Sequence, residues 1–161
     1  MIKTGIVGVT GYTGSELLRL LYLHPEVEVK AVTSESQAGK QLSEVHSAFT
    51  GLVNQQIHPA ESIAGMDLDA VFLALPHGVS MEYVRKFQKQ NFKIIDLSGD
   101  FRLSGPEVYQ DWYGKAHVFP KGFGRAAYGL PELHREAIRL ADLVANPGCY
   151  PTCSILGLAP L

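Results

Sequence analysis

The 161-residue chain reads as an α/β protein of the Rossmann-like, doubly wound class, with a mostly parallel sheet. Three observations predict this. Short apolar, β-branched runs alternate with segments of helical periodicity; a glycine-rich turn joins the first run to the first helix; and small, backbone-permissive residues follow most of the later runs. Ile6-Val7-Gly8-Val9 is the first buried strand. Leu17, Leu18, Leu20 and Leu21 mark one face of a helix that His24-Pro25 closes. Val27 to Thr33 is the second strand, Val53 to His58 a further short one, and Ala70 to Leu75 the next. Val79, Tyr83, Val84 and Phe87 lie at helical spacing, with Arg85, Lys86 and Lys89 on the other side. Lys93 to Leu97 and Leu143 to Ala145 complete the strands. Ser98 to Pro131 has no regular pattern and is too long for a connector, so it is functional or carries small structures of its own.

Composition narrows the function. A 46% hydrophobic and 19% charged chain is that of a globular protein, and a net charge of -2 without a basic run lacks the footprint of a nucleic-acid binder. No apolar stretch approaches the roughly 20 residues that span a bilayer, and no signal segment opens the chain. Cys149 and Cys153 stand one helical turn apart and make no disulfide framework, which points to a reduced, cytoplasmic setting. The apolar stretch Ile155 to Leu161, with no polar tail, suggests a piece of a longer protein. On that reading residues 1–148 form a dinucleotide-binding domain and 149–161 begin a catalytic-domain segment.

In an open parallel sheet, ligands bind at the carboxyl ends of the strands. Four loops of this chain fall there by expectation: Gly8 to Gly14, Pro76-His77-Gly78, Ser98-Gly99-Asp100 and Asn146-Pro147-Gly148-Cys149. The first is a G-x-x-G-x-x-G turn whose candidate cofactor contacts are Gly8, Thr10, Gly11, Tyr12, Thr13 and Gly14. Glycines permit the tight turn and close approach, and the following helix offers free N–H groups to a pyrophosphate. Pro76, His77 and Gly78 are expected to line the same crevice. Beyond the second strand the signals are split. Glu35 suits the ribose hydroxyls of NAD, whereas Ser34, Ser36 and Lys40 suit the 2′-phosphate of NADP.

Cys149 precedes an apolar helical run with Pro151 in its first turn. A thiol at a helix N-terminus is a nucleophile in waiting, and Asn146 nearby is a candidate donor to a developing oxyanion. Cys153 reads as a small residue packed inside the helix, and His24, His46, His58, His117 and His134 as surface or loop residues. The C-x-x-x-C spacing makes no metal site, and no Tyr-x-x-x-Lys occurs.

Taken in order, Gly8-Val9-Thr10-Gly11-Tyr12-Thr13-Gly14-Ser15-Glu16-Leu17, Ala38-Gly39-Lys40, Ala74-Leu75-Pro76-His77-Gly78, Asp96-Leu97-Ser98-Gly99-Asp100-Phe101-Arg102-Leu103, Tyr128-Gly129-Leu130-Pro131-Glu132-Leu133 and Asn146-Pro147-Gly148-Cys149-Tyr150-Pro151-Thr152 resemble the N-acetyl-gamma-glutamyl-phosphate reductases, which belong with the semialdehyde dehydrogenases. The resemblance implies an NADPH-dependent reduction of N-acetyl-glutamyl phosphate through a thioester on Cys149. It also implies a homo-oligomeric full-length enzyme of arginine biosynthesis, with the acid/base histidine in a second domain. Arg102 then becomes a candidate for the substrate phosphate, against the alternative of a simple Asp100–Arg102 loop pair. Glu132 and Tyr128 read as structural. The family often has arginine at the position of Glu35, so this chain departs from it there. Two other readings compete: a dinucleotide-sensing module without chemistry, and a relative acting on aspartyl phosphate.

Overall fold

The computed structural model describes residues 1–160; Leu161, the last residue of the expected catalytic-domain segment, lies outside the described residues. The chain divides into two compact units, residues 1–75 with 89–92, and residues 76–88 with 93–161. Every described strand pair is parallel.

In the first unit β1 (Ile2–Val7) lies between β2 (Val27–Thr33) and β3 (Ala70–Leu73). The β1–β2 register shifts between Thr4 and Gly5, where a side chain on Gly5 would press on Ile63 and Leu68. Helix α1 (Tyr12–Tyr22) follows the glycine turn and ends before His24-Pro25, since the residue ahead of a proline disfavours helix. Leu18 of α1 is fully buried against Ile6, Val9, Val29 and Val32, and Leu42, Phe49, Val53 and Ile57 close that core. The short helix α2 (Leu42–Val45) starts with a capping box in which Gln41 and Glu44 bond each other's backbone amides.

The second unit centres on β6 (Leu143–Ala145), paired on one side with β4 (Lys93–Asp96) and on the other with β5 (Ala126–Tyr128). Helix α3 (Ser80–Phe87) precedes β4 and buries Met81, Val84 and Phe87. Helix α4 (Pro106–Tyr113) carries proline at its start and ends on Gly114 at φ 67°, the left-handed stop that glycine accepts without strain. Helices α5 (Pro131–Leu140) and α6 (Cys149–Leu158) flank β6 in sequence.

Several expectations need correction. Val53 to His58 is not a strand: Gln56 and His58 make isolated bridges only, because the segment turns to bury Val53 and Ile57. The first strand spans Ile2–Val7, and Gly8 leaves it at φ 91°. The strand from Ala70 ends at Leu73 and the one from Lys93 at Asp96. The stretch from Ser98 to Pro131 holds α4, β5 and a 3-10 turn at Pro120–Gly122. His117 is buried, packed edge-on to Phe101 and Tyr109 with centroids 4.9 and 5.0 Å away. Burial holds its imidazole below the ordinary histidine range.

Helix α1 approaches β1 so closely that a methyl group on Gly14 would stand 2.2 Å from the Gly8 carbonyl oxygen. Since backbone cannot yield as a side-chain tip does, Gly14→Ala is expected to cost about 1–3 kcal/mol of stability. Urea denaturation measures this, and an unchanged midpoint would refute it.

Candidate functional site

The dinucleotide loop is built by the first unit. Gly8 takes φ 91°, and any side chain there would meet the Ala74 carbonyl at 2.4 Å. The amides of Gly8 and Val9 both donate to the Thr33 carbonyl, which ties the loop to the end of β2. Gly11 differs from its two companions. It is exposed, and a side chain there would find only the Gly8 carbonyl at 3.7 Å. As the residue capping α1, Gly11 offers no side-chain bond, and the first turn holds no acid. The amides of that turn have no acceptor within the helix, so they and the helix dipole face whatever anion approaches. This fits a pyrophosphate: two glycines fill space that a Cβ would take, and the third leaves the helix start open.

At the end of β2, Thr10 Oγ1 and Ser34 Oγ lie 3.0 Å apart, and Ser34 Oγ lies 3.5 Å from Ser36 Oγ. Ser34 is buried and braces the glycine loop; Ser36 and Lys40 are exposed, and no described contact joins Lys40 to the serines. Glu35 accepts the Ala60 amide at 3.2 Å and so caps the 3-10 turn Ala60–Gly65. That bond gives Glu35 a structural task independent of any ribose.

The loop that carries Cys149 is built by the second unit. Gly148 caps α6, Cys149 is its first residue, and again no side chain caps the helix and no acid stands in its first turn. The Cys149 thiol is exposed. Cys153 is exposed too, rather than packed inside the helix, because α6 buries none of its residues against the described chain. Arg102 holds the turn from below: Nε donates to the Asn146 carbonyl at 2.6 Å and Nη2 to the Leu97 carbonyl at 2.7 Å. Nη1 lies where a side chain on Gly148 would come within 3.1 Å, so glycine leaves room for the guanidinium. Asn146 Nδ2 donates to the Pro147 carbonyl at 3.1 Å, leaving its second hydrogen.

The Asp100–Arg102 pair does not form. Asp100 turns inward instead, fully buried, and accepts the Gly78 amide at 2.8 Å, the Met81 amide at 2.9 Å and the Tyr109 hydroxyl at 2.9 Å. It thereby caps α3 and locks Pro76-His77-Gly78 to the loop after β4. His77 is exposed, and its Nδ1 accepts the Gly99 amide at 2.7 Å. Beside them, Asp96 accepts from the Ser80 hydroxyl, the Ser98 amide and the Ser98 hydroxyl. Sequence reasoning missed this network. Its signal was the Asp96-Leu97-Ser98-Gly99-Asp100 spacing, in which two acids and a serine alternate with residues that bury easily.

Comparisons with known proteins now bear on these loops. The family model of the semialdehyde dehydrogenase NAD-binding domain matches residues 3–141. The chain belongs to the semialdehyde dehydrogenase family. Among curated relatives, an N-acetyl-gamma-glutamyl-phosphate reductase of Acidithiobacillus ferrooxidans is 53% identical over 100% of this chain and 47% of its own length. A [LysW]-L-2-aminoadipate/[LysW]-L-glutamate phosphate reductase of Sulfurisphaera tokodaii is 48% identical over 100% of this chain and 46% of its own. The chain thus spans about half the length of the curated relatives it matches. Among solved structures, aspartate semialdehyde dehydrogenase II of Vibrio cholerae, complexed with ASA, matches 99% of this chain and 46% of its own at TM-score 0.70. At 20% identity that match speaks for the shared Rossmann-like α/β fold. In this semialdehyde dehydrogenase domain no described helix is long and apolar enough to cross a membrane. No described group of three or more His, Cys, Asp or Glu is arranged for a metal.

Burial, the largest cause, raises Asp96 above its ordinary value near 3.8, against the three hydrogen bonds that favour its charge. A raised folded value means that the protonated group stabilises the fold below 3.8 and that this contribution is lost as pH rises through the raised value. Asp96→Asn is neutral throughout. Urea unfolding across the acid range is expected to show the wild type losing stability relative to this variant as pH rises. A constant difference between the two would remove ionisation of Asp96 from the account.

Proposed function

We propose that this chain binds NADP(H) and supplies the nucleophile of an acyl-phosphate reductase that turns N-acetyl-glutamyl phosphate into its semialdehyde, a step of arginine biosynthesis. One observation carries the reading: an exposed thiol at the first residue of α6, at an N-terminus that no side chain caps. The sequence identity to the Acidithiobacillus ferrooxidans reductase supports the substrate.

In this reading Cys149 Sγ attacks the acyl carbon. The carbon–oxygen bond to phosphate breaks, phosphate leaves with the electron pair, and a thioester remains on Cys149. Gly8, Gly11 and Gly14, with the amides of Tyr12 and Thr13, hold the cofactor pyrophosphate. Thr10 supports them through Ser34, while Ser36 and Lys40 meet the 2′-phosphate. Pro76, His77 and Gly78 line the cofactor crevice. When bound, the reduced nicotinamide supplies a hydride. Once the thioester carbonyl carbon is reduced, its bond to Cys149 Sγ breaks, the electron pair returns to sulfur and the aldehyde departs. The free amide hydrogen of Asn146 donates to the oxygen that gains charge at both stages. Arg102 keeps two of its nitrogens on backbone carbonyls and turns its remaining N–H groups to the departing phosphate. A protein-linked aminoacyl phosphate is the second substrate reading, favoured by the Sulfurisphaera tokodaii relative. Residues 1–148 act as the dinucleotide domain and the segment from Cys149 opens the catalytic one, in a cytoplasmic homo-oligomer.

Two measurements test the reading. Calorimetric titration with NADP and with NAD is expected to show tighter binding of NADP; preference for NAD would overturn the cofactor assignment. Iodoacetamide is expected to modify Cys149 faster than Cys153, although both are exposed. Equal, slow modification would favour a dinucleotide sensor without chemistry, which needs no thiol at a helix start.

A further inference from the structure

The end of helix α4 and the residues just past it lay two side chains over the loops after β3 and β4 within the second unit. The Tyr113 ring lies 5.3 Å from the His77 ring, centroid to centroid. Its hydroxyl rests on Gly99, where any Cβ would stand 2.3 Å from the Tyr113 oxygen. Just past the Gly114 stop, Lys115 runs along Gly78: a Cβ there would lie 3.7 Å from Lys115 Cδ and 3.6 Å from Nζ. Gly78 is at φ 81°, so the loop presents bare backbone to the lysine.

The three groups share one polarity. His77 Nδ1 accepts the Gly99 amide, which leaves the ring to donate through Nε2. Lys115 offers three N–H groups and makes no ion pair with any described residue. The acid nearest in the loops, Asp100, cannot neutralise it, because its oxygens are taken by Gly78, Met81 and Tyr109 inside the protein. Donors thus converge at the surface while the acceptors are used up beneath it.

We propose that Lys115, His77 and Tyr113 form an oxyanion-binding cluster, which takes a phosphoryl or carboxylate group of a ligand of this domain. The assignment of the ligand as cofactor or acyl-phosphate substrate rests on the function proposed above; the cluster itself does not. Lys115 supplies the charge, His77 Nε2 and the Tyr113 hydroxyl supply direction, and the end of α4 with the residues just past it sets Tyr113 and Lys115 beside the 76–78 and 98–100 loops.

Inorganic phosphate is the probe. Titrated into the 15N-labelled full chain, it is expected to shift the amide resonances of Gly78 and Gly99. Lys115→Met is expected to weaken that response about tenfold, as befits loss of a charge-assisted hydrogen bond, and Lys115→Arg to restore it. Tyr113→Phe should weaken it less, with an unchanged melting temperature. No shift in the wild type, or shifts that Lys115→Met leaves intact, would overturn the proposal. The source of the anion follows from KM values in the intact protein. A loss for NADPH and NADH alike with Lys115→Met assigns the cofactor diphosphate, and a loss for the acyl phosphate alone assigns the substrate. An intact protein that binds phosphate here yet reduces no acyl phosphate would sink the proposed activity and leave the cluster standing.

Discussion

A buried carboxylate must be hydrogen-bonded from every side or it cannot stay buried, and Asp100 turns that constraint into architecture. It has no cationic partner among the described residues, so its charge is carried by two backbone amides and a phenol. Those donors come from the loop after β3, the first turn of α3 and helix α4. Fixing one carboxylate therefore fixes three segments. Tyr109 can serve only while protonated, and burial together with the Asp100 carboxylate pushes its phenol well up from the ordinary value. Asp96 and the Ser98 hydroxyl extend the same network, since the Asp100 amide donates to Ser98 Oγ.

The two helix starts that follow glycine at the candidate site are built alike. Both α1 and α6 begin after a glycine, without a side-chain cap and without an acid in the first turn. Replacing either capping glycine by Ser, Thr, Asp or Asn would stabilise its helix by only about 0.3 kcal/mol, so glycine is a small departure from the best cap that keeps the helix start bare. Such departures are expected where a ligand or a reacting group takes over the role of the cap. At α1 the amides of the first turn stand free behind the open Gly11; at α6 the chain places its own thiol at the first residue.

Much of this was legible beforehand, and the reasons for the rest are physical. Val27–Thr33 and Leu143–Ala145 stand with the bounds that their β-branched runs suggest. Leu18 lies in the core as the helical period requires. The start of β1 was hidden because Lys3, Thr4 and Gly5 do not look like a strand, though Thr4 is buried and bonds the Glu28 carbonyl. Val53 and Ile57 do belong to a core, but an apolar pair four residues apart fits a turn packed by its own side chains as well as a strand. Helix α4 had both of its signals in view, Pro106 at the start and Gly114 at the stop. They were masked by the polar face between them. Strand β5 has only Ala126, Ala127 and Tyr128, too short a run to announce itself. The glycine turn before α1 and the helix start at Cys149 were visible because both are local features of the chain. Asp100 was not, since its partners Gly78 and Met81 lie 22 and 19 residues away in sequence. Arg102 was read for its charge, whereas two of its bonds go to backbone carbonyls.

Gly14 joins the glycine loop to the packing of α1 on β1, since its missing side chain is what lets the Gly8 carbonyl approach. In a cell, harm at such a position surfaces first as scarcity. A chain that spends more time unfolded is removed by proteases before its affinity for any dinucleotide is put to use. Inherited changes at Gly14 would then be scored as low abundance, and changes at the open Gly11 as a normally abundant protein that works badly. The same motif would contribute two different kinds of genetic defect, separated by three residues.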